Sequence, residues 1–209
     1  MRIAAFGATG RTGKHVVEQA LAAGHEVVAF VRTPAKLGIE HARLTVVQGD
    51  VQDKAQVSQA IAGVDAVISA LGPTENKPTY QVTAGTENII TAMHAHGVRR
   101  LVISAGAGVG DPNDAPKIMN HVVNLLLKLV ARHVYEDMKQ VVEKVRASNL
   151  DWVIVRVPML TDDPPTGVVQ VGYVGKGMGM RISRADMAEF MLRQVSDDAY
   201  LHKTPAISN

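Results

Sequence analysis

The feature that most constrains the fold of this chain is a run of evenly spaced glycines near the amino terminus. In the stretch FGATGRTG, Gly7, Gly10 and Gly13 stand three residues apart, directly after the apolar residues 3–6. A strand, a glycine-rich turn and a helix in this order let the backbone approach a pyrophosphate, which the first N–H groups of the helix then face. The spacing is GxxGxxG rather than the more common GxGxxG, so an ordinary strand-to-helix turn is the alternative.

Beyond the glycines, short runs rich in β-branched residues alternate with helix-length segments. Because parallel strands need crossover connections, this alternation predicts a doubly wound, parallel α/β sheet of the Rossmann type. Gly24, Gly97 and Asn149 follow predicted helices as candidate carboxyl-terminal caps. The predicted strands are residues 3–6, 26–31, 44–48, 66–69, 100–104 and 152–157, and the predicted helices are 12–23, 53–61, 81–96, 117–147 and 184–195.

The length and the composition fit a single domain that spans residues 1–209. Hydrophobic residues make up 46% of the chain and charged residues 20%, which is typical of a globular core. The formal net charge of +2, without a long run of Lys or Arg, argues against a nucleic-acid partner. The apolar stretch 122–131 is shorter than the ~18 residues of a membrane span, and the apolar run near the amino terminus is too short for the hydrophobic region of a signal peptide. We therefore expect a cytoplasmic protein without a membrane partner.

Chemistry that depends on cysteine is excluded, because the chain contains none. The histidines have no metal-ligand spacing with acidic residues, so we predict no metal site. Redox chemistry would then have to come from a bound cofactor. The histidines considered are His15, His94, His96, His121 and His133.

The end of the second predicted strand carries a cation where an NAD-binding fold carries a carboxylate. That carboxylate stands about 20 residues beyond the glycines and binds the ribose 2′-hydroxyl. Here the position is held by Arg32, with Lys36 one helical turn later. A guanidinium there pairs with a 2′-phosphate, and Arg11 in the glycine turn is placed to assist. The pattern favours NADPH over NADH; the alternative is that these three residues are solvated surface charges.

Two later segments are candidates for the rest of the dinucleotide site. Asp50 and Val51, beyond the third strand, would meet the adenine edge, although Asp50 could equally cap a helix that begins near Gln52. Leu71 and Gly72, after the fourth strand, would pass beneath the ribose and the diphosphate. The alternative for Gly72 is an ordinary turn glycine.

Seven motifs in a fixed order resemble one family of enzymes. The likeness is to the atypical short-chain dehydrogenases of the NAD(P)H-binding, NmrA-like group, above all to its biliverdin-IXβ reductase or NADPH-dependent flavin reductase members. It covers nearly the whole chain, from Arg2 to about Ser208. The motifs are FGATGRTG, VRTPAKL, GDV, SALG, LVISAGAG, Lys139 and Glu143 before SNLDWVIVRVPML, and ISRADMAEFML.

The resemblance implies that NADPH is the cofactor and that the two loops after the fifth and sixth strands flank the nicotinamide. It assigns Arg32 to the 2′-phosphate, Asp50 and Val51 to adenine, and Leu71 and Gly72 to the ribose. The other implied cofactor residues are Gly7, Thr9, Gly10, Arg11, Thr12 and Gly13 along the phosphates, and Ser104, Ala105, Gly106, Pro158, Met159 and Leu160 beside the nicotinamide.

The chain departs from the flavin reductase-like pattern at the reaction centre. Those proteins carry a Ser where this chain has Gly106, and a His where it has Met159. The motif YEDMK instead places Tyr135 and Lys139 four residues apart, which matches the YxxxK pair of short-chain dehydrogenases. A Lys one turn from a phenol lowers the phenol pKa and makes Tyr a usable acid or base. Ser104 would have to replace the usual third member, and the alternative is that Tyr135 is a partly exposed helix residue paired with Lys139.

These observations predict an enzyme that transfers hydride from NADPH to a flavin, a quinone or a similar planar acceptor, because such acceptors need little acid catalysis from the protein. Met159, Met178 and Met180 would then form an adaptable wall for the acceptor, or else fill the core. A non-catalytic regulator that senses NADP(H), or a carbonyl reductase that uses Tyr135 and Lys139, are the alternatives. We expect a monomer or a weak homodimer.

Overall fold

The computed structural model describes residues 1–115 and 130–209. Over these residues the chain alternates strands and helices, with short 3₁₀ turns at Pro34–Lys36 and Ala107–Val109. The strands are β1 (Arg2–Phe6), β2 (Glu26–Val31), β3 (Leu44–Gln48), β4 (Ala66–Ser69), β5 (Arg100–Gly106), β6 (Asp151–Val157), β7 (Met159–Thr161), β8 (Gln170–Gly172), β9 (Arg181–Ser183) and β10 (Ala206–Ser208). The helices are α1 (Arg11–Ala22), α2 (Lys54–Ile61), α3 (Gln81–His96), α4 (Arg132–Arg146) and α5 (Arg184–Arg193).

Eight of the strands form one sheet in the order β3-β2-β1-β4-β5-β6-β10-β8. All of its neighbours pair in parallel except β8, which runs antiparallel to β10. The chain builds outward from β1 in one direction through β2 and in the other through β4. This reversal leaves a crevice at the carboxyl ends of β1 and β4, where doubly wound folds bind their ligands. The predicted Rossmann-type fold is confirmed.

The sheet is covered by helices on both faces, and β1 shows why its residues are apolar throughout. Ile3 and Ala5 belong to a core cluster with residues of α1 and α5, whereas Ala4 and Phe6 belong to the cluster with α2, α3 and α4. Alternate side chains of a strand point to opposite faces, so a central parallel strand needs apolar residues at every position. Burial of both faces fixes where β1 ends, and hence where the glycine turn lies.

The carboxyl-terminal third departs from the sequence prediction. Strands β7, β8, β9 and β10 were not expected, and β7 forms inside a stretch that resembled a loop. β5 also continues two residues past its predicted end, to Gly106. Of the predicted helix 117–147, residues 132–146 form α4, and the part over residues 117–129, with His121, lies outside the described residues.

Within residues 1–115 and 130–209, no helix is both long and apolar enough to cross a lipid bilayer. Over the same residues, no group of three or more His, Asp and Glu side chains is arranged to hold a metal ion.

Candidate functional site

The glycine turn owes its sequence to the close contact between the end of β1 and the start of α1. Gly7 adopts a left-handed backbone with φ of +75°, and its carbonyl accepts a hydrogen bond from the Gly10 amide at 2.9 Å. A Cβ on Gly13 would lie 2.1 Å from that same carbonyl oxygen, which no side chain can tolerate. Gly10 caps α1 with extended backbone and without a side-chain hydrogen bond. The first amides of α1 are therefore presented bare at the crevice, as an anion site requires.

A cleft of about 220 Å³ opens at this turn. Eight of the predicted cofactor residues line it, and they come from four separate segments of the chain. Its wall also contains residues of the loop between β4 and α3 and one residue of α4. The predicted residues in the wall are Gly7, Thr9, Gly10, Arg32, Asp50, Val51, Leu71 and Gly72, and the unpredicted ones include Pro73, Thr74, Glu75, Lys77 and Asp137.

The cleft fits a dinucleotide on the evidence of its glycines. A Cβ on Gly7 would approach the carbonyl group of Ala70 to 2.8 Å, so the two loops that form the cleft meet closely beneath it. Gly72 differs: a Cβ there would meet no atom within 4 Å. Neither packing nor a left-handed backbone requires glycine at Gly72, so the predicted alternative of a turn glycine is not supported. Gly72 lines the cleft with open space beside it, and its place beneath the ribose and the diphosphate stays a prediction.

Arg32 and Lys77 are the cations in the wall of the cleft, and the Lys77 amine lies 2.6 Å from the Glu75 carboxylate, which is also in the wall. Arg32 follows β2 directly and is exposed, and its side chain makes no ion pair with any residue that the structure describes. The residue is held through its backbone carbonyl, which accepts a hydrogen bond from the Gln48 side chain at 3.5 Å. Lys36 ends the 3₁₀ turn that follows and is also exposed, but it does not line the cleft.

The Asp50 carboxylate does not cap α2, so that alternative was wrong. It accepts a hydrogen bond from the Gln52 amide at 2.9 Å and closes a turn. α2 begins at Lys54, two residues beyond Gln52, near which a helix capped by Asp50 would begin. Its cap is Asp53, whose carboxylate accepts hydrogen bonds from the amides of Ala55 and Gln56. The carboxylate of Asp50 thus stays at the cleft wall.

Val51 is fixed against α3 by two contacts. The Asn88 side chain donates to the Val51 carbonyl at 2.9 Å. A Cβ on Gly85 would lie 2.5 Å from a Val51 methyl, so α3 needs a glycine at this point of contact. The segment expected at the adenine edge is therefore positioned by α3.

The residues predicted beside the nicotinamide lie at the carboxyl ends of the adjacent strands β5 and β6. Ser104 is in register with Val155 and Gly106 with Val157. Gly106 is exposed, and a Cβ there would meet nothing within 4 Å. Met159 is 63% exposed, and its amide donates to the carbonyl of Met180, which is 64% exposed. Ser104, Ala105, Gly106, Pro158, Met159 and Leu160 all lie outside the wall of the cleft.

The Tyr135 and Lys139 pair occupies one side of α4 but is not brought into the cleft. Tyr135 is half-buried, whereas Lys139 is exposed and its amine lies 3.6 Å from the Glu143 carboxylate. The residue that α4 contributes to the wall is Asp137. A catalytic role of the pair stays a prediction.

Asp137 is a site residue that sequence analysis missed. It is buried, and its carboxylate accepts the Thr83 amide at 2.9 Å and the Thr83 hydroxyl at 2.5 Å, with the Val82 amide at 3.3 Å. It thereby caps the first turn of α3 from a neighbouring helix, where the preceding Tyr80 provides no side-chain cap. Asp137 and Thr83 are 54 residues apart in the sequence. An acidic residue within an amphipathic helix gives no sequence signal for so distant a partner.

Tyr80 stands at the edge of the cleft, between the lining residues Thr79 and Gln81. Its backbone is left-handed with φ of +45°, which is uncommon for a large side chain. Its hydroxyl donates to the Glu136 carboxylate at 3.1 Å, and this hydrogen bond, with burial, raises the pKa of Tyr80. Arg132, 2.7 Å from Glu136, holds the pKa of that carboxyl below its usual value. Tyr80 is thus tied to the start of α4 through Glu136.

Arg156 is a second residue that the sequence analysis missed. It is 1% exposed, and its guanidinium binds the Asp114 carboxylate through two hydrogen bonds of 2.7 and 2.8 Å. Asp114 also accepts the Val174 amide at 2.9 Å. A lone Arg within the apolar strand VRVP is the sequence signal, since a buried cation needs a carboxylate partner. The pair fastens the loop after β5 to the end of β6.

Arg11 and Thr12 begin α1, and neither of them lines the cleft. Thr12 is buried, while the Arg11 guanidinium is exposed and lies 3.0 Å from the carboxylate of Asp162, just beyond β7. Gly13 does not line the cleft either, because it packs against the backbone of Gly7 and Ala8.

A doubly wound sheet with a glycine-lined cleft at its switch point defines a dinucleotide-binding protein of the Rossmann class. The chain belongs to the NAD(P)H-binding family, which matches residues 7–198. The family expected from the motifs is thereby confirmed, and a nicotinamide dinucleotide is the cofactor that this membership supports.

Three known proteins show the range of similarity. Photosystem II assembly factor Ycf39 of Synechocystis is 26% identical over 98% of this chain and 61% of its own length. A short-chain dehydrogenase/reductase of Veillonella parvula, solved in complex with NADP, has a TM-score of 0.80 at 17% identity and covers 100% of this chain and 94% of that one. ChuY of Escherichia coli O157:H7, named an anaerobillin reductase, has a TM-score of 0.79 at 21% identity and covers 99% and 96%. The two structural likenesses confirm the fold. The chain spans 32%, 60% and 51% of the length of three further curated relatives.

Proposed function

We propose that this protein is an NADPH-dependent reductase that transfers hydride to a flavin, a quinone or a similar planar acceptor. The observation that carries the proposal is the chemistry of the strand ends beside the expected nicotinamide. Gly106 ends β5 without a side chain, and Met159 opens β7 with an exposed thioether. An acceptor that takes hydride without obligatory proton donation suits this surface best.

The preference for NADPH rests on Arg32. A guanidinium without an ion-pair partner among the described residues is free to bind a dianionic phosphate through charge-assisted hydrogen bonds. The bare amides at the start of α1 would take the diphosphate, and Asp50 and Val51 would border the adenine. When bound, the dinucleotide supplies the hydride; the residues of this chain bind and orient it.

Met159 and Met180 suit a flat acceptor. Their backbones are joined by a hydrogen bond of 3.2 Å, and both side chains are largely exposed. Thioethers are polarisable and make favourable contacts with aromatic rings. Met178 is less available for this role, because its sulfur packs against Gly172. A Cβ added to Gly172 would lie only 3.0 Å from that sulfur. The reductase name of ChuY supports a reductase, although the likeness itself is one of fold.

A second candidate is a protein that binds NADP(H) and changes its contacts with a partner without turnover. The name of Ycf39 as an assembly factor favours it, as does the lack of a polar side chain at Gly106 and Met159. Carbonyl reduction through Tyr135 and Lys139 has less support, since the Lys139 amine lies 3.6 Å from the Glu143 carboxylate.

Anaerobic mixing with NADPH and a panel of flavins, quinones and carbonyls tests the proposal. The absorbance of the reduced nicotinamide should fall with flavins or quinones and persist with carbonyls. Consumption with carbonyls alone would favour the Tyr135 mechanism. Binding of NADPH, seen by its fluorescence, without consumption by any acceptor would favour the sensing protein.

A further inference from the structure

One carboxylate joins three segments of the chain, namely the end of β7 and the starts of α1 and α5. Asp162 lies directly after β7, and its two oxygens bind different arginines. Oδ2 is 3.0 Å from Arg11 Nη1 and Oδ1 is 2.7 Å from Arg184 Nη1. Arg11 is the first residue of α1, within the glycine turn, and Arg184 is the first residue of α5. The end of β7 is thus tied to the starts of two helices.

The two arginines differ in how firmly they are held. The Arg184 side chain is 9% exposed, whereas those of Arg11 and Asp162 are 71% and 61% exposed. An isolated exposed ion pair contributes little, because ordering two long side chains offsets its attraction. Here Arg184 is already ordered by burial and orients the carboxylate, so the entropy lost on adding Arg11 is smaller.

The position of Asp162 gives this link a functional consequence. β7 pairs in parallel with β9, from Met159 opposite Arg181 to Thr161 opposite Ser183. These two strands form a small sheet separate from the main one, and the Asp162 side chain ties the end of β7 to α1 and α5. Arg11 does not line the cleft, and its guanidinium is directed to Asp162.

We propose that Asp162 is a positioning residue for the acceptor, which through Arg11 and Arg184 holds β7 beside the glycine turn. The role rests on the proposed reductase function, in which Met159 and Leu160 border the reacting end of the cofactor. Loss of the carboxylate frees β7 while leaving the bare amides of α1 and the charge of Arg11 in place. Its effect therefore falls on the acceptor rather than on the dinucleotide.

Hydrogen exchange of the purified protein, free and saturated with NADPH, tests this role without any acceptor. Asp162→Asn should speed exchange over residues 157–163 by roughly threefold, the scale that a coupled surface ion pair reaches. Asp163→Asn is the matched control, because Asp163 is the exposed neighbour and should exchange like the wild type. In 0.5 M NaCl, roughly three times the physiological ionic strength, the exchange rate of the wild type should rise toward that of Asp162→Asn. The exchange rate of Asp162→Asn itself should change little with salt.

The kinetic arm separates positioning from cofactor binding. Asp162→Asn should raise KM for the acceptor more than it lowers kcat, keep the Kd for NADPH within about threefold, and be rescued by Asp162→Glu. The role would be overturned if Asp162→Asn exchanged at the wild-type rate, or if Asp163→Asn exchanged as fast as Asp162→Asn. It would also be overturned if the Kd for NADPH rose together with the KM for the acceptor. If no variant and no wild type reduces any acceptor, the reductase proposal fails, and the exchange result alone decides whether Asp162 holds β7.

Discussion

The carbonyl oxygen of Gly7 lies 2.1 Å from the position that a Cβ on Gly13 would occupy. This contact is between backbone atoms, so no rotamer change can relieve it. We predict that Gly13→Ala destabilises the protein by about 3 kcal/mol or more, at the upper end of overpacking effects. Urea unfolding measures the change, with Gly72→Ala as the control, since a Cβ on Gly72 meets no atom within 4 Å. Equal stabilities of the two variants would contradict the packing role of Gly13.

Gly72 gives the complementary prediction for binding. Gly72→Val should unfold at the wild-type urea concentration, because its side chain enters open space, yet it should weaken NADPH and NADH binding by tenfold or more, about 1.4 kcal/mol. Calorimetric titration of the folded variant measures this. Wild-type affinity would show that the dinucleotide does not lie against this part of the cleft.

Arg32 should discriminate between the two dinucleotides. Arg32→Ala should weaken NADPH by about 1.5 to 3 kcal/mol, the range of hydrogen bonds to charged groups, and leave NADH nearly unchanged. Lys36→Ala serves as the matched control, because Lys36 is an exposed cation near Arg32 that does not line the cleft. A parallel loss of NADPH and NADH affinity in Arg32→Ala would exclude a phosphate contact.

Asp186 should make the stability of the protein sensitive to acid. Burial opposes its ionisation, but hydrogen bonds from the Thr166 amide, the Ser183 hydroxyl and the Gly167 amide prevail and lower its pKa. A lowered pKa means that the stabilisation is complete above the pKa of the unfolded chain and is lost as the pH falls through that of the folded protein.

We therefore expect Asp186→Asn to lower the free energy of unfolding by about 1 to 3 kcal/mol at pH 7, with a difference from the wild type that shrinks below the unfolded-chain pKa of about 3.9. Urea unfolding of both proteins at pH 7 and at a pH below that unfolded-chain pKa measures the difference in the free energy of unfolding. A difference that stays constant with pH would show that the charge of Asp186 is not what stabilises the loop at Thr166.

The sequence was sufficient for the part of the fold that local pattern controls. The glycine turn and the first six strands follow from spacing and apolar runs, because each lies within one short segment. β7 to β10 escaped prediction, since strands of three residues have no measurable periodicity and depend on partners elsewhere in the chain.

The same limit applies to the candidate site. Arg32 and Gly72 could be predicted from their distance to a strand end. Asp162 and Arg11 are separated by 151 residues, and Arg156 and Asp114 by 42, so only the folded chain shows that they pair. Tyr135 and Lys139 show the opposite case, in which a short motif is present but Lys139 faces Glu143.

The most direct test of the central claim is the anaerobic reduction of a flavin or quinone by NADPH, with the wild type and Tyr135→Phe compared at saturating NADPH. We predict that both consume NADPH, with kcat values within a few-fold of each other, because no side-chain proton is needed for hydride transfer. Loss of kcat by about 10²-fold or more in Tyr135→Phe, the scale of general acid catalysis, would contradict this account, as would a wild type that binds NADPH and reduces no flavin or quinone.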